Sequence, residues 1–144
     1  ARQVKALVIA CNTISATARE AIQAQSPVPV IDVVHPTVHA AVAATRSGRI
    51  GVIGTVSTVR SGIYATLARA IRPDVEVLGA ECPLFVPIAE ENLTGHEVAR
   101  LMAREYLADL KAAAVDTLIL GCTHYPLLKS VVQEEMGPNV TLVD

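Results

Sequence analysis

Two cysteines in this chain each follow an apolar run and precede residues whose side chains can donate hydrogen bonds. The two segments are 7–13, Leu-Val-Ile-Ala-Cys-Asn-Thr, and 118–124, Leu-Ile-Leu-Gly-Cys-Thr-His. Apolar runs of this length suit buried strands, so Cys11 and Cys122 are predicted to lie where a strand opens into a loop. Open α/β sheets hold their ligands at that place. Two thiols facing one cleft can approach a substrate from opposite sides, which is the geometry that inversion of a carbon centre requires.

A thiol acts as a base or nucleophile only as the thiolate, so its pKa has to fall below the ordinary value of about 8.5. His124 stands two residues after Cys122, and Tyr-Pro at 125–126 is predicted to start a helix whose N-terminus favours negative charge. These neighbours predict a lowered pKa for Cys122. Beside Cys11, Asn12 and Thr13 offer donors to a carboxylate or a thiolate. The alternative for either cysteine is a small buried apolar residue.

Cys82 and Glu90 lie between the two segments. Cys82 also follows a predicted strand, residues 75–80, but Pro-Leu-Phe-Val comes next, with no side-chain donor to orient an acid. We predict that Cys82 packs in the core. Glu90 is a candidate hydrogen-bond partner that would hold the tautomer of His124. The alternative for Glu90 is an exposed position at the start of a helix.

A group of hydroxyl side chains follows the predicted strand at 50–55. They belong to Thr55, Ser57, Thr58 and Ser61. At a helix N-terminus, such hydroxyls can bind a carboxylate through the donors and the dipole that also bind phosphate. Helix capping alone is the alternative. The nearby Gly48, Gly51 and Gly54 do not have the spacing of the dinucleotide-binding fingerprint Gly-x-Gly-x-x-Gly.

Neither a metal nor a bound cofactor is predicted. His35 and His39 lie four residues apart on a predicted helix, but no third ligand is near, so hydrogen bonding is favoured over metal binding. His96 is predicted on the surface at a helix start. The three lysines lie away from the strand ends where a Schiff base would form. They are Lys5, Lys111 and Lys129.

The elements that must position these residues alternate along the chain. Apolar runs rich in Val, Ile and Leu predict strands near 4–11, 28–34, 49–55, 75–80, 117–122 and 140–144. Helical patterns separate them, which predicts an α/β fold, a parallel-sheet sandwich of βαβ units. Ser15 or Thr17 is predicted to cap a helix over 16–25. Thr94 and Glu97 form a capping box that is predicted to open a helix ending near 114.

Composition excludes several classes of protein. The 144 residues are 51% hydrophobic, which fits a folded domain with a real core. Twelve basic and fourteen acidic residues give a net charge of −2, which argues against a protein whose main partner is nucleic acid. The apolar runs fall short of the ~20 residues that span a bilayer, and the start does not resemble a signal peptide. Three widely spaced cysteines fit reduced thiols, so we expect a cytoplasmic protein.

Both ends of the sequence suggest that the first and last strands belong to larger sheets. We expect one complete α/β domain flanked by part of another, with a helix bridging them. The predicted division assigns residues 1–35, with Cys11, to a partial first domain. Residues 36–144, with Cys122, form the second.

Two motifs resemble the signature motifs of the glutamate racemase family. They are Ala-Cys-Asn-Thr at 10–13 and Gly-Cys-Thr-His-Tyr-Pro-Leu-Leu at 121–128. Gly-Val-Ile-Gly-Thr at 51–55 with Tyr64, and Cys-Pro-Leu-Phe-Val-Pro at 82–87 with Glu90, are similar to further landmarks of that family in the expected order. The resemblance covers the whole chain.

The resemblance implies two pseudo-symmetric α/β domains and cofactor-independent interconversion of L- and D-glutamate for bacterial peptidoglycan synthesis. Cys11 and Cys122 would be two bases acting on opposite faces of the α-carbon. Other residues would bind the amino acid or assist. These are Asn12, Thr13, Thr123 and His124 as binding residues, Thr55 and Thr58 as candidate carboxylate ligands, and His124 with Glu90 as partners of Cys122. The implied partner is small-molecule glutamate, and a homo-oligomer is compatible with the sequence.

The chain departs from the family in extent. Family members carry an Asp-Ser-Gly loop that supports the first cysteine and a Tyr-Gly motif, and neither is present here. We therefore expect the Cys11 side of the site to lack its acidic partner in this chain, which would impair turnover by the chain alone. The open alternatives are another racemase of the superfamily, acting on aspartate or hydantoins, a scaffold without chemistry, and a hydrolase built on Cys122 and His124.

Overall fold

A computed structural model describes residues 3–144 of the chain as strands alternating with helices. The strands are β1 (Leu7–Ile9), β2 (Val30–Asp32), β3 (Arg49–Gly54), β4 (Glu76–Glu81), β5 (Thr117–Gly121) and β6 (Thr141–Val143). The helices are α1 (Asn12–Gln25), α2 (Val34–Ala44), α3 (Val56–Arg60), α4 (Ile63–Ile71), α5 (Phe85–Glu90), α6 (Glu97–Ala112) and α7 (Lys129–Met136). A 3₁₀ turn, Tyr125–Leu128, precedes α7. No helix within the described residues is long and apolar enough to cross a membrane.

The strands pair in parallel in two sheets. β1 pairs with β2, and the second sheet has the order β4-β3-β5-β6. Each predicted strand is present, and the predicted α/β class with parallel βαβ connections is confirmed. Because successive strands are parallel, the helix between them returns the chain to the same end of the sheet. The loops after the strands therefore gather at one edge.

Helices cover both faces of the four-stranded sheet, and β5 shows why. Its side chains alternate between two apolar clusters, with Leu118 and Leu120 in one and Ile119 in the other. The first cluster packs under α5, α6 and α7, and the second under α2 and α4. A strand that is apolar on both faces is buried on both faces. This burial fixes the position of β5 in the sheet and therefore the position of Cys122, which directly follows it.

Two predicted helix starts are wrong. α1 begins at Asn12 rather than 16, and the extended residue before it is Cys11 (φ −99°, ψ 122°). The Ser15 and Thr17 hydroxyls are inside the helix, where they donate to the carbonyls of Ile9 and Thr13 at 3.3 and 2.8 Å. Thr17 bonds the carbonyl one turn back in its own helix, as hydroxyls inside helices commonly do, whereas Ser15 bonds the last residue of β1; neither caps an end.

The capping box at residues 94–97 is also absent. α6 begins at Glu97, and the cap is His96, whose Nδ1 accepts from the Val98 amide at 3.4 Å. His96 thus lies at a helix start, as predicted, but as the capping residue itself. An imidazole nitrogen serves here as the acceptor that the Thr94 hydroxyl was predicted to supply.

Candidate active site

The register of the sheets brings the candidate residues to one edge. Gly54 at the end of β3 is level with Gly121 at the end of β5. The residues that follow, Thr55 and Cys122, therefore emerge side by side. Gly121 lies directly against the backbone of β3, since a Cβ added to it would be 2.7 Å from the Ile53 carbonyl oxygen. Glycine at this position allows β3 and β5 to approach closely just before Cys122.

Cys122 is buried, with 8% of its surface exposed. Burial raises the pKa of its thiol, and the backbone amides of His124 and Thr123, which donate to the sulfur, only partly oppose this. The expectation of a lowered pKa for Cys122 is therefore wrong in this structure. The free-energy cost of desolvating the thiolate exceeds the stabilisation that two backbone hydrogen bonds give it.

The two candidate thiols interact. Negative charge at Cys11 raises the pKa of Cys122, because the sulfurs are near enough for Coulombic repulsion. Cys11 is half-buried at the N-terminus of α1. Repulsion of this kind opposes a second ionisation once one thiolate has formed. The doubly ionised pair is therefore disfavoured.

His124 lies between Cys122 and Glu90. Its Nδ1 is 3.8 Å from the Cys122 sulfur, and its Nε2 is 3.2 Å from Glu90 Oε1. The structure thus brings together the three side chains that the sequence placed in one group. Glu90 is at the end of α5 rather than at a helix start, and its side chain is 59% exposed.

Aromatic packing holds α5 against the turn that follows His124. Phe85 packs edge-on against Tyr125 with ring centroids 5.4 Å apart, and the Tyr125 hydroxyl donates to the Cys82 carbonyl oxygen at 2.8 Å. Cys82 is fully buried in the same core, as predicted, and burial raises its pKa to about 12. A thiol of that kind stays protonated and serves packing.

Three threonine hydroxyls form a triangle across the edge. Thr13 Oγ1 lies 2.9 Å from Thr55 Oγ1 and 3.1 Å from Thr58 Oγ1, and the last two are 2.9 Å apart. Thr55 also caps α3 by accepting from the Thr58 amide at 3.3 Å. The triangle joins the first turn of α1 to the start of α3. The two helix starts are more than forty residues apart in sequence.

The remaining predicted residues have different surroundings. Thr123 is exposed and contributes its backbone amide to Cys122. Asn12 is buried and accepts a hydrogen bond from the Tyr64 hydroxyl at 2.5 Å. Ser61 is at the end of α3, where its hydroxyl donates to the Thr58 carbonyl, so it does not join the hydroxyls at the helix start.

A buried ion pair beside the first cysteine loop was not predicted. Asp32, at the end of β2, lies 2.6 Å from Arg19 Nε and 2.8 Å from His35 Nδ1, and its Oδ1 accepts from the amides of Val34 and His35. Burial alone would raise the pKa of Asp32, but these donors outweigh it and lower the pKa to about 2. The signal in the sequence was an acidic residue closing the apolar pair Val30-Ile31.

His35 bonds Asp32, in line with the hydrogen-bonding role favoured for it. Within residues 3–144 no group of three or more His, Cys, Asp and Glu side chains has an arrangement that could hold a metal ion. The charged groups at the candidate edge are therefore paired with one another, or exposed.

Comparisons with known proteins point in one direction. The family model for Asp/Glu/hydantoin racemases matches residues 1–144. The glutamate racemase of Geobacter metallireducens is 57% identical over 143 residues, which is 99% of this chain and 53% of that protein. The glutamate racemase of Enterococcus faecalis is 48% identical over 143 residues, covering 99% of this chain and 52% of that protein.

Solved structures give the same result. A glutamate racemase isoform from Bacillus anthracis superposes with a TM-score of 0.93 at 40% identity, over 97% of this chain and 53% of that one. The glutamate racemase of Francisella tularensis, solved in complex with D-glutamate, superposes with a TM-score of 0.90 at 38% identity. The match covers 98% of this chain and 52% of that one. The chain thus spans about half the length of the curated relatives and structures it matches.

Proposed function

The chain belongs to the Asp/Glu/hydantoin racemase family, and from that premise we propose that the protein interconverts L- and D-glutamate by a two-base mechanism without a cofactor. Cys11 and Cys122 are the proposed bases. Support for the substrate comes from the relatives, which are named glutamate racemases at 57% and 48% identity. The Francisella structure holds D-glutamate, a small-molecule ligand of the proposed kind.

The observation that carries the proposal is that the two cysteine segments meet at one edge. The hydroxyl of Thr13, two residues after Cys11, lies 2.9 Å from that of Thr55, and Thr55 follows Gly54, which pairs with Gly121 beside Cys122. Racemisation through two bases needs one thiolate and one thiol at the start of each turnover. Repulsion between the two sulfurs disfavours the doubly ionised pair, which is the state that cannot return a proton. The same protonation state serves both directions, with the roles of the two cysteines exchanged.

In the proposed reaction the thiolate takes the α-proton, and the electron pair of the Cα–H bond remains on the substrate as a carbanionic, enediolate-like state. The opposite thiol then donates its proton to the other face of the α-carbon and becomes the thiolate. No proton is gained or lost overall. The α-proton is weakly acidic, so oriented donors must stabilise the developing negative charge.

The proposed donors lie around the two thiols. Binding of the amino acid is assigned to Asn12, Thr13, Thr123 and His124. Thr55 and Thr58, the other two corners of the hydroxyl triangle, are assigned to its carboxylate. His124, in contact with Glu90, assists proton movement at Cys122. These assignments rest on the closeness of the side chains at the carboxyl edge of the strands.

The proposal includes a domain division and a cellular role. Residues 1–35 with Cys11 are assigned to one domain and 36–144 with Cys122 to the other, supported by the pairing of the strands in two separate sheets. The active site then lies between the domains. The D-glutamate would serve peptidoglycan synthesis in the bacterial cytoplasm.

The test uses the protein expressed from its own gene and L-glutamate in deuterated water. D-glutamate carrying deuterium at the α-carbon is the expected product. Cys11→Ala and Cys122→Ala are each expected to lower the rate by at least about 100-fold, the usual worth of a positioned acid or base. Cys82→Ala is the matched control and keeps its activity. Unchanged turnover in both site variants would refute the proposal.

A substrate panel separates the proposal from its alternatives. Racemisation of aspartate or of a hydantoin in preference to glutamate would assign the chain to another branch of the family. Hydrolysis products would indicate a cysteine hydrolase. Slow, ordinary alkylation of both Cys11 and Cys122, together with no α-deuterium in any substrate, would indicate a scaffold.

A further inference from the structure

We propose that Tyr64 is a positioning residue whose hydroxyl fixes the side-chain amide of Asn12 so that the amide nitrogen is presented to the substrate. This role rests on the proposed function and adds to it a residue outside the two cysteine loops. Tyr64 lies in the first turn of α4, more than fifty residues from Asn12 in sequence.

The hydroxyl of Tyr64 is held as a donor. The side chain is 3% exposed, and its oxygen is 2.5 Å from Asn12 Oδ1. Burial raises the pKa of Tyr64 far above its usual range, and the negative charges of Asp32 and Cys122 add to the shift. The phenol therefore keeps its proton, and a buried O–H requires an acceptor.

An asparagine amide can meet that requirement in one orientation only. Its oxygen accepts, whereas its NH₂ group can only donate, so the Tyr64 proton selects the orientation with Oδ1 towards the phenol. The nitrogen of Asn12 is then directed away from Tyr64. Among residues 3–144 no hydrogen bond joins this nitrogen to another group, and the residue is 9% exposed. Two N–H donors beside Cys11 are thus left for a ligand.

The same hydroxyl lies against the loop of the second cysteine. A Cβ built on Gly121 would be 3.4 Å from the Tyr64 oxygen, and Gly121 directly precedes Cys122. Tyr64 therefore lies against the residue that follows the first thiol and the residue that precedes the second. A shift of its ring would move the Asn12 amide relative to Cys122. Displacements of ~1 Å at a reacting centre can cost about 100-fold in rate.

The chemistry of the ligand follows from the donors. An amide NH₂ binds an anionic oxygen, and glutamate offers two carboxylates. Without the Tyr64 hydroxyl, the Asn12 amide is free to rotate and place its oxygen towards the carboxylate, which is repulsive. The role predicts weaker binding of glutamate when the hydroxyl is removed, while the thiols themselves are unchanged.

The test is Tyr64→Phe in the protein expressed from its own gene. KM and the Kd for D-glutamate, measured by calorimetry, are each expected to rise about tenfold, the worth of one oriented hydrogen bond. In an Asn12→Ala background, Tyr64→Phe should cause no further rise, because the two residues act as one unit. Tyr106→Phe is the control, since that hydroxyl contacts only the exposed Leu84 amide at 3.4 Å.

Several results would overturn the role of Tyr64. One is an unchanged Kd in the Tyr64→Phe variant while the wild-type protein binds glutamate. Another is an equal rise with and without the Asn12 amide, which would indicate a general structural effect. If Tyr64→Phe does not fold, Asn12→Asp is the second variant. It keeps an acceptor for the phenol but replaces the donor with a carboxylate, so a Kd that does not rise contradicts the role. A wild-type protein that binds no glutamate overturns both the proposed function and this role.

Discussion

The sulfur of Cys122 lies 3.8 Å from Nδ1 of His124, with only one residue between them in the sequence. His124 is the residue that directly precedes the 3₁₀ turn starting at Tyr125. The other ring nitrogen meets Glu90 at 3.2 Å. A buried thiol thus has a path to a solvent-exposed carboxylate through one imidazole, which suits movement of a proton to and from Cys122.

Replacement of Glu90 by Gln tests this path. The exposed pair with His124 is screened by solvent, so we expect a modest effect, a fall in kcat of about threefold to tenfold that becomes smaller at high salt. Steady-state kinetics at two salt concentrations would measure it. Glu91→Gln is the matched control, because Glu91 is an exposed neighbour with no ion pair among the described residues. An equal fall in both variants would contradict the assignment.

Alkylation rates test the state of Cys122. Burial raises its pKa, so the thiol is mainly protonated at neutral pH. While the pH is below that pKa, each rise of one pH unit increases the thiolate fraction about tenfold. We expect Cys122 to react slowly with iodoacetamide at pH 7 and progressively faster as the pH rises. Peptide mass spectrometry would report each cysteine separately, with the fully buried Cys82 as the unreactive reference. Rapid modification of Cys122 at pH 7 would show that its pKa is lowered instead.

The pH dependence of stability tests Asp32. Its carboxyl has a pKa of about 2 in the folded protein against 3.8 as the ordinary value, so the unfolded state binds the proton more tightly. The stabilisation is therefore fully present above about pH 4 and is lost as the pH falls towards 2. A shift of nearly two units corresponds to about 2 kcal/mol.

Urea unfolding of Asp32→Asn between pH 2 and 7 would measure this. We expect the free energy of unfolding to be lower than in the wild type at neutral pH and the difference to narrow near pH 2. Asp74→Asn is the control, because the Asp74 side chain is 79% exposed and its Oδ1 lies 3.6 Å from Arg72 Nε, a long ion pair. A difference that does not change with pH would argue against the ion pair as its source.

Thr58→Val tests the hydroxyl triangle. Thr58 is 1% exposed, and valine keeps its shape but removes the hydroxyl oxygen, which lies within 3.1 Å of the hydroxyls of both Thr13 and Thr55. We expect the free energy of unfolding to fall by about 1–2 kcal/mol and KM for glutamate to rise. Thr66→Val is the control, since among the described residues that exposed hydroxyl bonds only the carbonyl of Gly62, the residue before its helix. Equal effects of the two variants would exclude a special role for the triangle.

The sequence was sufficient for the strands and for their order along the chain. Val, Ile and Leu runs bounded by turn residues mark strands that are buried on both faces, and β3 and β5 have that pattern. The helix starts at Asn12 and Glu97 were misplaced, because several nearby polar residues can act as caps. Which one does so depends on where the preceding strand or turn releases the chain.

The candidate site was predicted in part. Cys122, His124 and Glu90 are close together in the structure, and for Glu90 this contact was one of the two alternatives that the sequence left open. The sign of the pKa shift at Cys122 was predicted wrongly, because neighbours in sequence reveal donors but not the degree of burial. Desolvation depends on the whole fold around the thiol.

By itself, the sequence determined the residue types and their local order: two strand-end cysteines, the polar residues after them, and apolar runs that specify a parallel sheet. Only the tertiary structure decided which distant residues meet, namely Thr13 with Thr58 and Asn12 with Tyr64. The physical reason is that strand register and helix packing fix these contacts. Both are collective properties of the burial of apolar surface, and no local spacing encodes them.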